Sequence, residues 1–416
     1  MSMDINQLRN RIDETTGPLG ASLIKWRRHL HRHPELRFVE FQTSEYIANL
    51  LSTIGLKPIR AARTGLIALL EGNKPGPTIA LRVDMDALPM NDEKEVPYKS
   101  SSPGCCHACG HDVHMTVATG VAHVLTKLRG QMHGQVKFIF QPAEEIPSGE
   151  PSGAKAMIEE GALVNPDVSA IFGMHCWPEL KAGLIGLQRG CTMASADSLV
   201  ITLVGQGAHA GTPQHGRDAI LAAAQVVQAM YMVSAREVSP NEAHTLSIGT
   251  IRGGQSQSII CDRVDMTGTL RTTSRPLRDR LVERLGNVVK EVAGATRCEG
   301  SLQVADNFPP VMNDDRLFDH AMTALKAALG DDSIVELTDK PMTAEDFSYY
   351  LDQVPGLYVK LGVAPQDKSI PQFPLHKPRF DIDETSLMTG VRGLAILLLH
   401  ELQPEQMKMA RLWHLQ

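Results

Sequence analysis

The chain has 416 residues, with 41 Lys and Arg against 47 Asp and Glu, a formal charge of −6, and 43% hydrophobic residues. That length carries two or three domains with a large buried core, and a mildly acidic balance without a basic block excludes nucleic acid and anionic membrane surfaces as partners. Residues 1–11 hold no apolar leader, and the apolar run at 394–399 is far too short to span a bilayer, so a cytoplasmic location is expected. The seven scattered cysteines are expected to be reduced thiols.

In chain order, residues 20–30 and 43–54 carry helical periodicity, whereas 66–70, 78–83, 136–140 and 170–174 read as buried strands. Helices over 113–128 and 154–160 fall between the later strands, the pattern of crossover connections and a largely parallel sheet. Asp84 and Asp86 then follow one strand, Glu144 and Glu145 another, and His175 a third, at the ends where open α/β sheets place their sites. From about Gln188 the pattern changes to strand 198–205, helix 218–234, strands 245–251 and 264–271, helix 276–292 and strand 301–305. This β-α-β-β-α-β order predicts a ferredoxin-like unit, an antiparallel sheet with helices on one face. Alternating helices and buried strands resume at about Asp306, with helices at 316–329 and 344–351, a strand at 357–361 and a helix over 385–402. The expected class is therefore α/β. A mixed, largely parallel sheet flanked by helices is built from residues 1–187 and 306–416, and an α+β domain is inserted at 188–305.

The run from His107 to His114 brings Cys109, His111 and His114 close together, with Glu144 and Glu145 downstream. Thiolate and imidazole suit zinc and other late first-row metals, and a neighbouring carboxylate can either bind metal or move a proton. Cys109 and His111, separated by Gly110, would share a face in a strand or converge in a tight loop. Asp112 could hydrogen-bond a ligand, and His114 is expected to support rather than ligate. Cys106 and Cys109 form Cys-x-x-Cys, but the chain has no second such pair, which discounts a structural zinc site. In the Glu144-Glu145 doublet one carboxylate can ligate while the other serves as general base. Asp84 and Asp86 would share a face; His175 and His376 carry meaning only in this company.

Taken together these motifs resemble the zinc-dependent aminoacylase and carboxypeptidase superfamily, in its amidohydrolase branch of hippurate hydrolases, auxin-conjugate hydrolases and N-acetyl-diaminopimelate deacetylases. Further landmarks are Leu30-His31-Arg32-His33-Pro34-Glu35, Gly173-Met174-His175, Ala344-Glu345-Asp346-Phe347 and Leu375-His376. The resemblance implies that Cys109, His111, Glu145, His175 and His376 hold two divalent metal ions per subunit, zinc or manganese first, nickel or cobalt as alternatives. It makes Glu144 the general base and Asp86 the orienter of a ligand. Cys109, where other branches use a bridging carboxylate, marks the amidohydrolase branch.

In the insert, the stretch from Gly205 to Pro213 is similar to the family loop whose histidine, here His209, completes the opposite subunit's active site as oxyanion stabiliser in a homodimer formed through the inserted lid domain. Arg271 would pair with the substrate carboxylate. One departure concerns that carboxylate: after Gly253-Gly254 the family usually carries an asparagine before Val-Ile-Pro, whereas this chain has Ser258-Ile259-Ile260-Cys261, and a serine lacks the amide's paired donor and acceptor. The implied activity is hydrolysis of a small N-acyl amino acid to a carboxylic acid and a free amino acid. The alternative is a metallo-exopeptidase cutting dipeptides, or an N-carbamoyl amidohydrolase, with the same machinery. A silent binding protein would have lost Glu144 or a ligand, and none is lost.

Overall fold

The protein is described from a computed structural model, which covers residues 5–146, 150–367, 369–404 and 406. Residues 1–4 of the N-terminal stretch lie outside these, and a helix begins at Ile5.

An eight-stranded sheet runs, from edge to edge, Ile59–Ala61, Gly65–Glu71, His133–Gln141, Lys74–Asp84, Val168–Lys181, Gly356–Ala364, Ile185–Leu187 and Ile334–Glu336. Its centre is parallel: Lys74–Asp84 pairs in parallel with both His133–Gln141 and Val168–Lys181, which pairs in parallel with Gly356–Ala364. Gly65–Glu71 is antiparallel to both its neighbours, and the junction of Ile185–Leu187 with Gly356–Ala364 is antiparallel too. Central strands bury both faces, which is why they are continuously apolar rather than alternating. Leu81, Val83, Phe138, Phe140 and Phe172 face one core, while Ala80, Ile139 and Ile171 face another. The first core is closed by helices that include Gly20–Arg32, His111–Leu128 and Ser386–Glu401. Gly120 permits their crossing, because a Cβ there would stand 2.6 Å from Val391 and 2.8 Å from Leu23.

A second, antiparallel sheet holds His244–Gly253, Arg263–Thr272, Ala196–Val204 and Glu299–Phe308 in that order. With helices Ala219–Arg236 and Arg275–Ala295 it forms the ferredoxin-like β-α-β-β-α-β unit read from the sequence. Leu199, Ile201, Leu203 and Met266 of the sheet pack with Val226, Met230, Leu281 and Leu285 of the helices. Asp218 and Ser274 cap the helix starts by accepting from Ile220 N and Leu277 N. Ala219–Arg236 is the one helix among the described residues long and apolar enough to cross a membrane by length and composition; a third of it is buried within the fold.

Three expectations change. The sequence places His175 past a strand ending at 174, but Val168–Lys181 continues because Gly356–Ala364 keeps pairing with it as far as Lys181, so His175 projects from within a strand. The helix expected at 113 starts at His111, and Gly110 precedes it in the left-handed region at φ 88°, so the Cys109–His111 pair sits on a loop-to-helix turn and not in a strand. The helix expected over 344–351 shrinks to Ser348–Leu351 because the Glu345 and Asp346 side chains are engaged below the site.

Candidate metal centre

Asp84 closes the central strand Lys74–Asp84, the neighbouring strand ends at Gln141 just before the Glu144-Glu145 loop, and the Gly110 turn aims Cys109 and His111 across the same end. A Cβ on Gly110 would meet Cys176 Sγ at 2.9 Å, so both the backbone sign and the space require glycine. Cys109, His111 and His175 bring donor atoms within 4.8 Å of one another, and so do Cys109, Glu145 and His376. Cys109 Sγ belongs to both groups, 3.4 Å from His175 Nε2 and 3.3 Å from His376 Nε2. His376 Nε2 lies 2.9 Å from Glu145 Oε1. All five residues expected to bind metal are thus gathered at one point.

The fit to a cation follows from the donors themselves. Both ring nitrogens of His111 are buried without a well-formed hydrogen bond among the described residues, Nδ1 lying 3.4 Å from Asp86 and Nε2 4.0 Å from Glu144, which is costly unless something else satisfies them. Burial, aided by Glu145, Glu144 and Asp84, pushes the Cys109 thiol well above its usual range, so its thiolate needs a cation beside it. His111 is raised to about 10: burial opposes its charge, but Asp84 and Asp86 outweigh burial. Burial and adjacent His114 hold His175 well below the usual imidazole range, and its Nδ1 donates to Cys176 O at 2.8 Å, leaving Nε2 as a neutral donor aimed at the cluster.

His114 has a different part. Its Nε2 accepts from Cys176 N–H at 2.9 Å and its Nδ1 donates to Asp84 at 2.6 Å, so neither nitrogen is free to ligate. Asp86 accepts from the backbone N–H of Glu144 at 3.0 Å and of Glu145 at 2.8 Å, and lies 3.4 Å from His111 Nδ1. It fixes the doublet as well as facing His111. Glu144 is buried, its carboxylate 4.0 Å from His111 Nε2, and burial together with Glu345, Glu145, Asp346 and Asp86 raises it well above the usual range.

Asp112 departs from expectation. It bonds no ligand but accepts from Arg27 Nε at 2.9 Å and pairs with His31 Nδ1 at 2.7 Å, while His31 Nε2 faces Asp92 at 3.2 Å. With a carboxylate on each nitrogen, His31 is raised to about 9: burial opposes its charge, and Asp112 and Asp92 together more than offset burial. Because the folded value lies above the ordinary 6.5, the stabilisation is complete below pH 6.5 and is lost as pH rises through about 9, worth on the order of 3 kcal/mol. Denaturant unfolding of the parent and of His31→Gln is therefore expected to show a steeper fall in stability between pH 6.5 and 9.5 for the parent; parallel profiles would refute the charged histidine.

The residues assigned to the insert stand apart from this cluster. His209 is exposed, with Nδ1 accepting from Gly211 N–H at 3.0 Å, in a small ribbon where Ile259 pairs with His209 and Ser258 O accepts from Ala210 N–H. His209 and Ser258 are thus neighbours. Arg271 is half-buried, lowered by that burial, and has no carboxylate partner among the described residues.

Sequence reasoning assigned no role to the charges beneath the site. Buried Arg82 bonds Gln141 at 2.8 Å, Asp84 at 2.9 Å, Asp346 at 2.7 Å and Glu345 at 3.0 Å, and Tyr358 Oη donates to Glu345 at 2.6 Å. The Ala344–Phe347 landmark is the one sequence signal for Glu345 and Asp346. Glu40, equally unassigned, is buried, accepts from Ala143 N–H and Thr64 Oγ1, and is raised to about 7 by burial and by the charge of Asp86.

An α/β sheet carrying a thiolate, imidazole and carboxylate cluster at its strand ends, with a ferredoxin-like insert, defines a metal-dependent hydrolase. Residues 80–400 match the model of Peptidase family M20/M25/M40, and the chain belongs to that family. It is 35% identical to an N-acetylcysteine deacetylase of Bacillus subtilis, covering 92% of this chain and 98% of that one. It is 35% identical to an IAA-amino acid hydrolase of Arabidopsis thaliana (93% and 86%) and 33% identical to thermostable carboxypeptidase 2 of Saccharolobus solfataricus (95% and 98%). A solved Bacillus subtilis structure, described as a dinuclear metal binding peptidase from the M20 family, superposes with a TM-score of 0.81 at 32% identity, covering 93% of this chain and 99% of that one.

Proposed function

We propose that the chain hydrolyses the amide bond of a small N-acyl amino acid, releasing a carboxylic acid and a free amino acid. The observation that carries this reading is Cys109 Sγ shared between two donor groups, with the Glu144 carboxylate beside them, 4.0 Å from His111 Nε2. Cys109, His111, Glu145, His175 and His376 would hold a divalent pair, zinc or manganese. When bound, such a pair polarises a carbonyl and makes water acidic enough to ionise near neutral pH. Glu144 takes the proton from the attacking water and passes it to the departing amine nitrogen. Asp86 keeps Glu144 and Glu145 in place through two N–H bonds. Arg271, a cation with no carboxylate of its own among the described residues, suits the free carboxylate of the amino acid; Ser258, beside His209 at the opposite end of the strand Arg263–Thr272, would reach it from a second copy, with fewer donors than an asparagine. The names of the deacetylase and of the IAA-amino acid hydrolase support an acylated amino acid as substrate.

Residues 188–305 form the lid and dimerisation domain in this reading. Its sheet has His244–Gly253 at one edge, and Tyr231, Met232 and Ile251 are exposed, as suits a second copy whose His209 completes the site. Chelator-stripped protein is expected to be inactive on N-acetyl and N-benzoyl amino acids, to regain amine release with manganese or zinc, and to sediment as a dimer. Release from dipeptides alone would shift the reading to an exopeptidase, and a monomer would remove the shared site.

A further inference from the structure

The helix Phe41–Thr53 begins after Glu40, a position whose side chain, usually Ser, Thr, Asp or Asn, caps the first free N–H groups. Here Glu40 makes no such bond. Glu35 does that work instead, accepting from Gln42 N–H at 3.2 Å, Thr43 N–H at 2.8 Å and Thr43 Oγ1 at 2.9 Å. The Glu40 carboxylate, fully buried, reaches 103 residues along the chain to accept from Ala143 N–H at 3.0 Å, its other oxygen accepting from Thr64 Oγ1 at 2.5 Å. Ala143 immediately precedes Glu144 and adopts φ 50°, a left-handed conformation that a residue with a Cβ holds only when its surroundings impose it. Its carbonyl is also taken, by Gly153 N–H at 3.0 Å. Three consecutive N–H groups, at 143, 144 and 145, are therefore bound by two carboxylates from distant parts of the chain, Glu40 and Asp86.

We infer that Glu40 is a positioning residue for Glu144: by holding Ala143 N–H it fixes the backbone turn that aims the Glu144 carboxylate, without touching substrate or metal. This rests on the reading of Glu144 as the base. What Glu40 supplies is reach and an acceptor oxygen, not charge. Glu40→Gln keeps both, since its amide oxygen can accept from Ala143 N–H. Glu40→Asp keeps the charge but is one methylene short.

The test uses manganese-loaded full-length protein with N-acetyl-L-methionine, measuring kcat, KM and metal content, together with hydrogen exchange of the peptide covering residues 138–146. Glu40→Asp is expected to lower kcat by about 10-fold to 100-fold, with KM within about twofold, metal content unchanged and faster exchange in that peptide. Glu40→Gln is expected to stay within about threefold of the parent in rate and to keep the slow exchange. Glu35→Ala, which weakens the same helix start without touching Ala143, is the control for general loosening and should lower the melting temperature without lowering kcat. The inference falls if Glu40→Asp keeps the parent's rate and exchange, if Glu40→Gln is as impaired as Glu40→Asp, or if Glu35→Ala reproduces the loss of kcat. If instead Glu144→Gln proves fully active, the reading of Glu144 fails, and the exchange measurement still decides whether Glu40 holds the turn.

Discussion

Glu144→Gln is expected to lower kcat by about 10²-fold to 10⁴-fold while leaving metal content and melting temperature close to those of the parent. The substitution keeps the size of the side chain and both N–H bonds to Asp86, and it removes only the capacity to accept and release a proton. The environment of Glu144 suits that capacity. Burial and the nearby Glu345, Glu145, Asp346 and Asp86 raise its affinity for a proton, so that the carboxyl group can take one from water and give it up within a cycle. Turnover by Glu144→Gln within tenfold of the parent, at equal metal content, would move the base elsewhere.

Arg82→Ala is expected to destabilise the protein by about 3–5 kcal/mol, measured by denaturant unfolding of the metal-free chain. Arg82 is the cation that Asp84, Glu345 and Asp346 share in a fully buried cluster, and burial already pushes Asp346 up to about 7 with the guanidinium in place. Its removal leaves Glu345 and Asp346 buried without the cation they share. The consequence travels upward, because Asp84 also receives the His114 N–H, and His114 in turn accepts from the backbone at Cys176, next to His175. A loss below about 1 kcal/mol would mean that the acids take up protons at little cost.

Much of this architecture could be read in the chain. Apolar runs at 78–83 and 136–140 marked strands buried on both faces, and the spacing of periodic segments after Gln188 set out the order of the insert. Three-residue strands such as Ile185–Leu187 and Ile334–Glu336 escaped, since so short a run has no periodicity to detect and is ordered by its partner strand. The 14-residue strand through His175 was cut short for the same reason: its later half is set by pairing with Gly356–Ala364, which lies far along the sequence. Donor types near the centre were legible because cysteine, histidine and carboxylate are chemically distinctive. Arg82, Glu345, Asp346 and Glu40 were not, because a charged residue read alone looks like surface, and only the fold shows which charges are buried against one another.

Cys109 and His376 meet although 267 positions separate them, and the whole of the ferredoxin-like unit is translated between the two. A nascent chain that has emerged only as far as that unit carries Cys109, His111, Glu145 and His175 but lacks His376 and the strand Gly356–Ala364 that orders the segment after His175. The Cys109, Glu145 and His376 group can therefore close only after synthesis has passed His376 and the separated halves of the large sheet have met, a long-range step that is slow compared with local folding of the insert.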